Sequence, residues 1–147
     1  MKQQMEQRLK NMQAAIEAQA FHRDCELQLV EAGDDGAEIR FRVNDYTSNP
    51  QGALHGGILY AMLDVACFFA VITQLPEDRH PVSVEVHTSV LRAALRGETV
   101  RVRSHLDRLG RTLAAMRAEA FAVTDEGEER MIATGSVTKA ILEGRTR

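Results

Sequence analysis

The sequence predicts an α+β domain in which one long antiparallel sheet lies against a single buried helix, with a further helix at the N-terminus. Three observations carry that prediction. A nearly unbroken apolar stretch of helical length, residues 57–73, stands in the middle of the chain. Strand-like runs lie on both sides of it, two before and four after. Strands and helices do not alternate, which argues against βαβ units and a parallel sheet. At 147 residues, 44% apolar and 27% charged, the chain suits one domain with a real core. The expected division is an N-terminal helix over 1–20 and a single domain over 21–147.

Residues 2–19 place Met5, Leu9, Met12 and Ile16 at spacings of 4, 3 and 4, one apolar stripe on an otherwise polar helix. Such a helix packs on the body or mediates oligomer contact. Cys25 to Val30 and Ala37 to Val43 read as two strands joined by the turn Gly33-Asp-Asp-Gly36. In the second, Ile39, Phe41 and Val43 point to a core and Glu38, Arg40 and Arg42 to water. Residues 44–56 are rich in Asn, Asp, Ser, Pro and Gly and read as a loop. A helix over about 57–75 follows, stopped by Pro76. Next, Val82, Val84, Val86, Thr88 and Val90 alternate with Ser83, Glu85, His87 and Ser89. That pattern puts the valines on the helix side and Ser83 on the opposite face. The run 98–108 alternates Val100, Val102 and Ser104 with Thr99, Arg101 and Arg103. Runs 111–124 and 129–142 are joined by Thr124-Asp-Glu-Gly127, so the last three strands form a meander.

The central helix is apolar all round, and such a helix must be enclosed. One sheet covers one side. The other side needs another cover, most simply a second copy of the chain. A membrane span is the poorer reading: the stretch is at the short limit for one, and Asp64 would sit near the bilayer centre. The net charge of −3 argues against broad nucleic-acid binding. Cys25 and Cys67 form no Cys-x-x-Cys, so neither a disulfide framework nor a thiolate zinc site is implied, and a reducing cytoplasm is the simplest location. The charged N-terminus lacks the apolar run of a secretory signal.

The chemistry concentrates in Asn49-Pro-Gln-Gly-Ala-Leu-His-Gly-Gly-Ile-Leu-Tyr-Ala-Met-Leu-Asp64. A turn segment runs into a Gly-Gly pair, and a single acid stands in the greasy helix that follows. An unpaired charge there is costly to bury, which makes Asp64 a functional-site candidate. The spacing of Asn49, Gly52, His55, Gly56, Gly57 and Asp64 resembles the phenylacetate-pathway (PaaI-like) branch of the hotdog-fold acyl-CoA thioesterases. Val82-Ser-Val-Glu85 is similar to that family's strand after the helix, and Arg108-Leu-Gly-Arg111 to its basic turn. The resemblance covers about residues 22–142. It implies hydrolysis of an acyl-CoA thioester, with Asp64 as base or nucleophile and a glycine amide, that of Gly57, as oxyanion donor. It further implies that Asn49, His55 and Ser83 orient the reactants. Substrate contacts would come from Gly56, from Tyr60 on the acyl side, and from Arg108, Gly110 and Arg111 at the CoA phosphates. Lys139 is a further substrate-binding candidate. No metal or redox cofactor is implied, CoA being part of the substrate.

The residues support that chemistry and add a constraint. A helix N-terminus offers free N–H groups, and a glycine lets a carbonyl approach them. Yet Gly57 and Asp64 are seven residues apart on one helix, about 10 Å along its axis. One carboxylate cannot serve a carbonyl held at that distance. Two antiparallel helices about a two-fold axis would bring Asp64 of one chain to the glycine of the other. A homodimer, or a dimer of dimers, is therefore expected. Simpler roles stand beside each assignment: Asn49 as a turn residue, Tyr60 as core, the arginines as ordinary surface charges. Cys67, on the buried helix, reads as a core residue. No Gly-x-Ser-x-Gly elbow is present, and Glu85 with His87 is too little for a metal site. The alternatives to a thioesterase are a non-catalytic acyl-CoA-binding regulator or scaffold of the same fold, and a hotdog dehydratase or hydratase.

Overall fold

Period-two alternation builds one six-stranded sheet, and the apolar helix packs on its inner face. The computed structural model describes residues 2–144, so Met1 and residues 145–147, at the ends of the expected division, lie outside it. The elements are α1 (Lys2–Ala18), α2 (Ala20–Asp24), β1 (Gln28–Ala32), β2 (Gly36–Arg42), α3 (Gly56–Ile72), β3 (Arg79–Val90), β4 (Thr99–Leu109), β5 (Leu113–Val123) and β6 (Glu129–Glu143). The strand order is β1-β2-β4-β5-β6-β3, and every neighbouring pair is antiparallel. β4, β5 and β6 form the expected meander. β3 follows α3 and lands at the edge beyond β6.

Small residues make up part of the inner face in the middle of the sheet. Ala114, Ala118, Ala120 and Ala122 of β5 are all buried. At Gly135 of β6, a Cβ would stand 2.5 Å from Leu63 Cδ2 and 2.6 Å from the His87 carbonyl oxygen. Backbone on one side and a packed leucine on the other leave no room. Gly135→Ala is expected to cost about 2 kcal/mol by overpacking, read as a lowered urea midpoint with unchanged slope. Ser104 ties the layers together from β4, its hydroxyl donating to the Ala66 carbonyl of α3 at 2.7 Å.

The N-terminal helix docks on the body as its stripe predicts. Leu9, Met12 and Ile16 pack against the core. The Arg8 guanidinium donates to the carbonyls of Leu75, Pro76 and Arg79, each at 2.7 Å, pinning α1 to the turn between α3 and β3. Among the described residues, no helix is long and apolar enough to cross a membrane.

Four details differ from the sequence reading, each for a local reason. The strand expected at Cys25 begins at Gln28, because α2 prolongs the N-terminal segment and Glu26 turns the chain at φ 59°. The central helix stops at Ile72 rather than 75, and Gln74 N–H turns back to the Val71 carbonyl. Glu38, expected in water, is buried under the guanidinium groups of Arg101 and Arg103. The valine face of β3 is also not continuous. A bulge between Ser83 and Glu85 shifts the register against β6, so Ser83 pairs with Lys139 while Val86 pairs with Val137. Directly paired residues share a face. Ser83 and Val86 therefore both look toward the helix, and Val82, paired with Ala140, looks away.

The sheet leaves one stripe of α3 uncovered. Gly57, Tyr60, Ala61, Asp64, Val65 and Phe68 lie along it at helical spacing, and Tyr60 is 47% exposed. Beside that stripe runs β3, paired on one side only, with Val82, Val84, Val86 and Val90 exposed.

Candidate active site

The loop before α3 is folded by its own side chains. Asn49 Oδ1 accepts from the N–H groups of Gln51 (3.0 Å) and Ala53 (3.1 Å), and Gly52 adopts φ 82° to complete the turn. The loop delivers His55 to the N-cap position of α3. There His55 Nδ1 accepts from the Gly57 N–H at 3.0 Å. The amide that the sequence reading chose as oxyanion donor is thus already engaged. Gly56, the first residue of the helix, differs. Its N–H has no partner among the described residues. Asn49 and Gly56 line a cleft of about 240 Å³ with Leu54, Leu59, Val90 and Arg92.

Asp64 is not a lone charge. Its Oδ1 accepts from Ser83 Oγ at 2.5 Å and from Lys139 Nζ at 2.8 Å, and Lys139 also donates to Ser83 Oγ at 2.8 Å. Lys139 is 3% exposed, and its ammonium also lies 6.0 Å from the centre of the Phe68 ring. A buried ammonium needs such a counter-charge, and two hydrogen bonds to one oxygen fix the carboxylate plane. The other oxygen, Oδ2, has no partner among the described residues, and the side chain keeps 34% of its exposure. The bulge in β3 makes the arrangement possible: without the register shift, Ser83 and the later valines could not share the inner face. Asp64, Ser83 and Lys139 line a second cleft, of about 360 Å³, with Ile16, His22, Ala61, Val65, Phe68 and Pro81.

The remaining candidates divide. Tyr60 stands on the open stripe of α3, its hydroxyl 3.7 Å from where a Cβ on Gly56 would be. Arg108 stands near the end of β4, and Gly110 and Arg111 lie in the turn to β5. The register puts that turn beside the Asp64 group, because Ala114 pairs with Lys139 and Lys139 with Ser83. Arg108 and Arg111 are exposed and make no ion pair among the described residues. Lys139, weighed as a substrate contact, is bonded to the acid instead. One signal in the sequence pointed there: Val137, Lys139 and Ile141 alternate on one strand face, placing a charge among core residues. His22, buried in α2 and lining the Asp64 cleft, was not singled out, since a five-residue helix shows no readable period.

Cys67 is enclosed on α3, and burial pushes its thiol up to about 12 from an ordinary 9.0. A thiol so held stays protonated and makes a poor nucleophile. The folded state keeps the proton where the unfolded chain loses it. The associated stability is complete below about pH 9 and is lost as pH rises toward 12. Cys67→Ala is expected to lessen the fall in melting temperature between pH 8 and about 10.5 relative to the parent protein; equal slopes would contradict this. Among the described residues no group of three or more His, Cys, Asp or Glu gathers to hold a metal ion.

Comparison with known proteins places this geometry. The family model of the Thioesterase superfamily matches residues 51–129, from the loop before α3 to the start of β6. A Deinococcus radiodurans protein carrying the provisional name of esterase is 32% identical over 123 residues, covering 84% of this chain and 81% of its own. The crystal structure of a thioesterase family protein from Silicibacter pomeroyi superposes with a TM-score of 0.86 at 27% identity, over 95% of this chain and 99% of that one. A variant of the phenylacetic acid degradation protein PaaI from Thermus thermophilus shares the fold, with a TM-score of 0.71 at 24% identity over 82% of this chain and 96% of its own. The hotdog architecture expected from the sequence is thus the observed one.

Proposed function

Because the chain belongs to the thioesterase superfamily, we propose that it hydrolyses acyl-CoA thioesters to the free acid and CoA, in a site shared between two copies. The observation that carries the reading is the Asp64 carboxylate: one oxygen is tied to Ser83 and Lys139, and the other is left open to a cleft. A base or nucleophile needs this combination of a fixed plane and a free lone pair.

Hydrolysis then proceeds from the chain's own groups. Asp64 Oδ2 takes a proton from water as the water oxygen attacks the thioester carbonyl carbon. The oxyanion so formed accepts a hydrogen bond from a helix N-terminal amide, where the dipole also favours negative charge. On collapse the C–S bond breaks, and the thiolate of CoA leaves with the proton held by Asp64. Direct attack by Oδ2 through an anhydride uses the same groups; reaction in 18O-water separates the two, label in Asp64 marking the anhydride. The free Gly56 N–H is the better oxyanion donor than Gly57, whose N–H caps onto His55. His55 and Asn49 act through this loop: His55 caps the helix and Asn49 holds the turn.

Gly56 and Asp64 are eight residues apart, about 12 Å along α3. They line separate clefts of one protomer. Two copies packed through the open stripe of α3 and the free edge of β3 would bring each Asp64 to the partner's Gly56. The exposed valines of β3 suit such a contact, and a free edge strand invites pairing. Arg108 and Arg111, without an ion pair among the described residues and beside the Asp64 group, suit the phosphates of CoA. The reading is of a cytoplasmic homodimer or dimer of dimers that takes an acyl-CoA rather than nucleic acid or membrane as its partner. The test is free-thiol release from a panel of aromatic, short, medium and long acyl-CoA thioesters. Ligand binding with no thiol released would instead support a binding protein, and water addition to an enoyl-CoA a hydratase.

A further inference from the structure

One wall of the Asp64 cleft comes from a segment that the hydrolysis does not use. Ile16 of α1 and His22 of α2 line the cleft beside Asp64, Ser83 and Lys139, and the other lining groups, Ala61, Val65, Phe68 and Pro81, are apolar. His22 is thus a polar ring on the apolar part of the wall, and it is only 8% exposed. Its Nδ1 lies 2.9 Å from the Ile16 carbonyl oxygen. A carbonyl only accepts, so Nδ1 carries the proton, and in the neutral ring Nε2 presents a lone pair. Nε2 has no protein partner among the described residues. A buried ring nitrogen without a protein partner, on a residue that lines a mostly apolar cleft, suits a hydrogen bond from a ligand.

The wall is also held in place. Arg8 ties α1 to the turn between α3 and β3, and the Glu17 carboxylate accepts from the Leu29 N–H at 2.9 Å. Phe21 packs against the His22 ring at 5.3 Å between centroids. A surface-docked helix tied to the body at two points, Arg8 and Glu17, can set the depth of a pocket.

We propose that this wall selects the acyl group: Ile16 limits its length, and His22 Nε2 accepts a hydrogen bond from a hydroxyl at its far end. The substrate class is then a compact acyl chain with a terminal hydroxyl. The inference rests on the thioesterase reading above. Ile16 and His22 determine specificity and take no part in bond breaking.

The test measures kcat/KM for hexanoyl-CoA against 6-hydroxyhexanoyl-CoA and octanoyl-CoA against 8-hydroxyoctanoyl-CoA. The parent protein is expected to favour the hydroxylated member of the hexanoyl pair by about tenfold. His22→Leu is expected to bring that ratio to one or below. Ile16→Ala is expected to raise octanoyl-CoA relative to hexanoyl-CoA, and Ile16→Phe to lower it. Each readout is a ratio within one preparation, so a variant that folds only in part still gives a valid answer. A parent ratio near one, a ratio unchanged in His22→Leu, or a chain-length preference unmoved by both Ile16 variants overturns the proposal while hydrolysis itself stands. No thiol release from any of the four thioesters, nor from the wider panel, overturns the thioesterase reading and this inference with it.

Discussion

Asp64→Asn is expected to lower kcat by about 10³-fold on whichever thioester the parent protein turns over best, with the fold retained. Asparagine keeps the shape and the Oδ1 acceptor for Lys139 and Ser83. It loses the proton-accepting oxygen that opens to the cleft. Asp64→Ala removes both and leaves the Lys139 ammonium buried without its counter-charge, so it is expected also to destabilise the protein. The comparison separates chemistry from structure: the two variants should share the kinetic loss and differ in melting temperature. Near-parental turnover in folded Asp64→Asn would remove the acid from the mechanism.

Gly56→Pro is expected to be the second severe lesion, lowering kcat by about 10²-fold or more through loss of one oxyanion donor. Proline is a mild change to the helix itself at this position. Gly56 is the first residue of α3, where proline's fixed φ suits the helix and its missing N–H breaks no intrahelical bond. His55 before it is already extended, at φ −68° and ψ 130°, as a residue preceding proline must be. The stability of the variant should therefore stay near that of the parent while turnover falls. Gly57→Ala acts differently. Its Cβ would stand 3.2 Å from the His55 ring, so it disturbs the cap and the loop that positions the donor.

Most of the fold was legible because its signals are local. Alternation in β2 and β4 and the unbroken greasiness of α3 each follow from which face of one element meets the core. The uncovered side of α3 was foreseen from the same pattern. What escaped the reading depends on distant partners or on backbone detail. Lys139 meets Asp64 across 75 positions of sequence, so the acid looked unpaired. The bulge that turns Ser83 inward leaves no mark in a run of alternating valines, since it alters register rather than composition. The choice between Gly56 and Gly57 turns on which amide the His55 ring takes, and spacing alone does not say. Asp64, Ser83 and Lys139 were each candidates in the sequence, while the contacts that join them came only with the structure.

The central claim is that Gly56 and Asp64 act together across two chains. Differently tagged Asp64→Ala and Gly56→Pro chains, co-expressed and purified through both tags, test it most directly. Hybrid dimers would hold one site with both groups intact and one with neither, so the doubly tagged sample should recover about half of the parental thiol-release rate per dimer, far above either variant alone. A rate no higher than that of the two inactive parents would contradict the shared site.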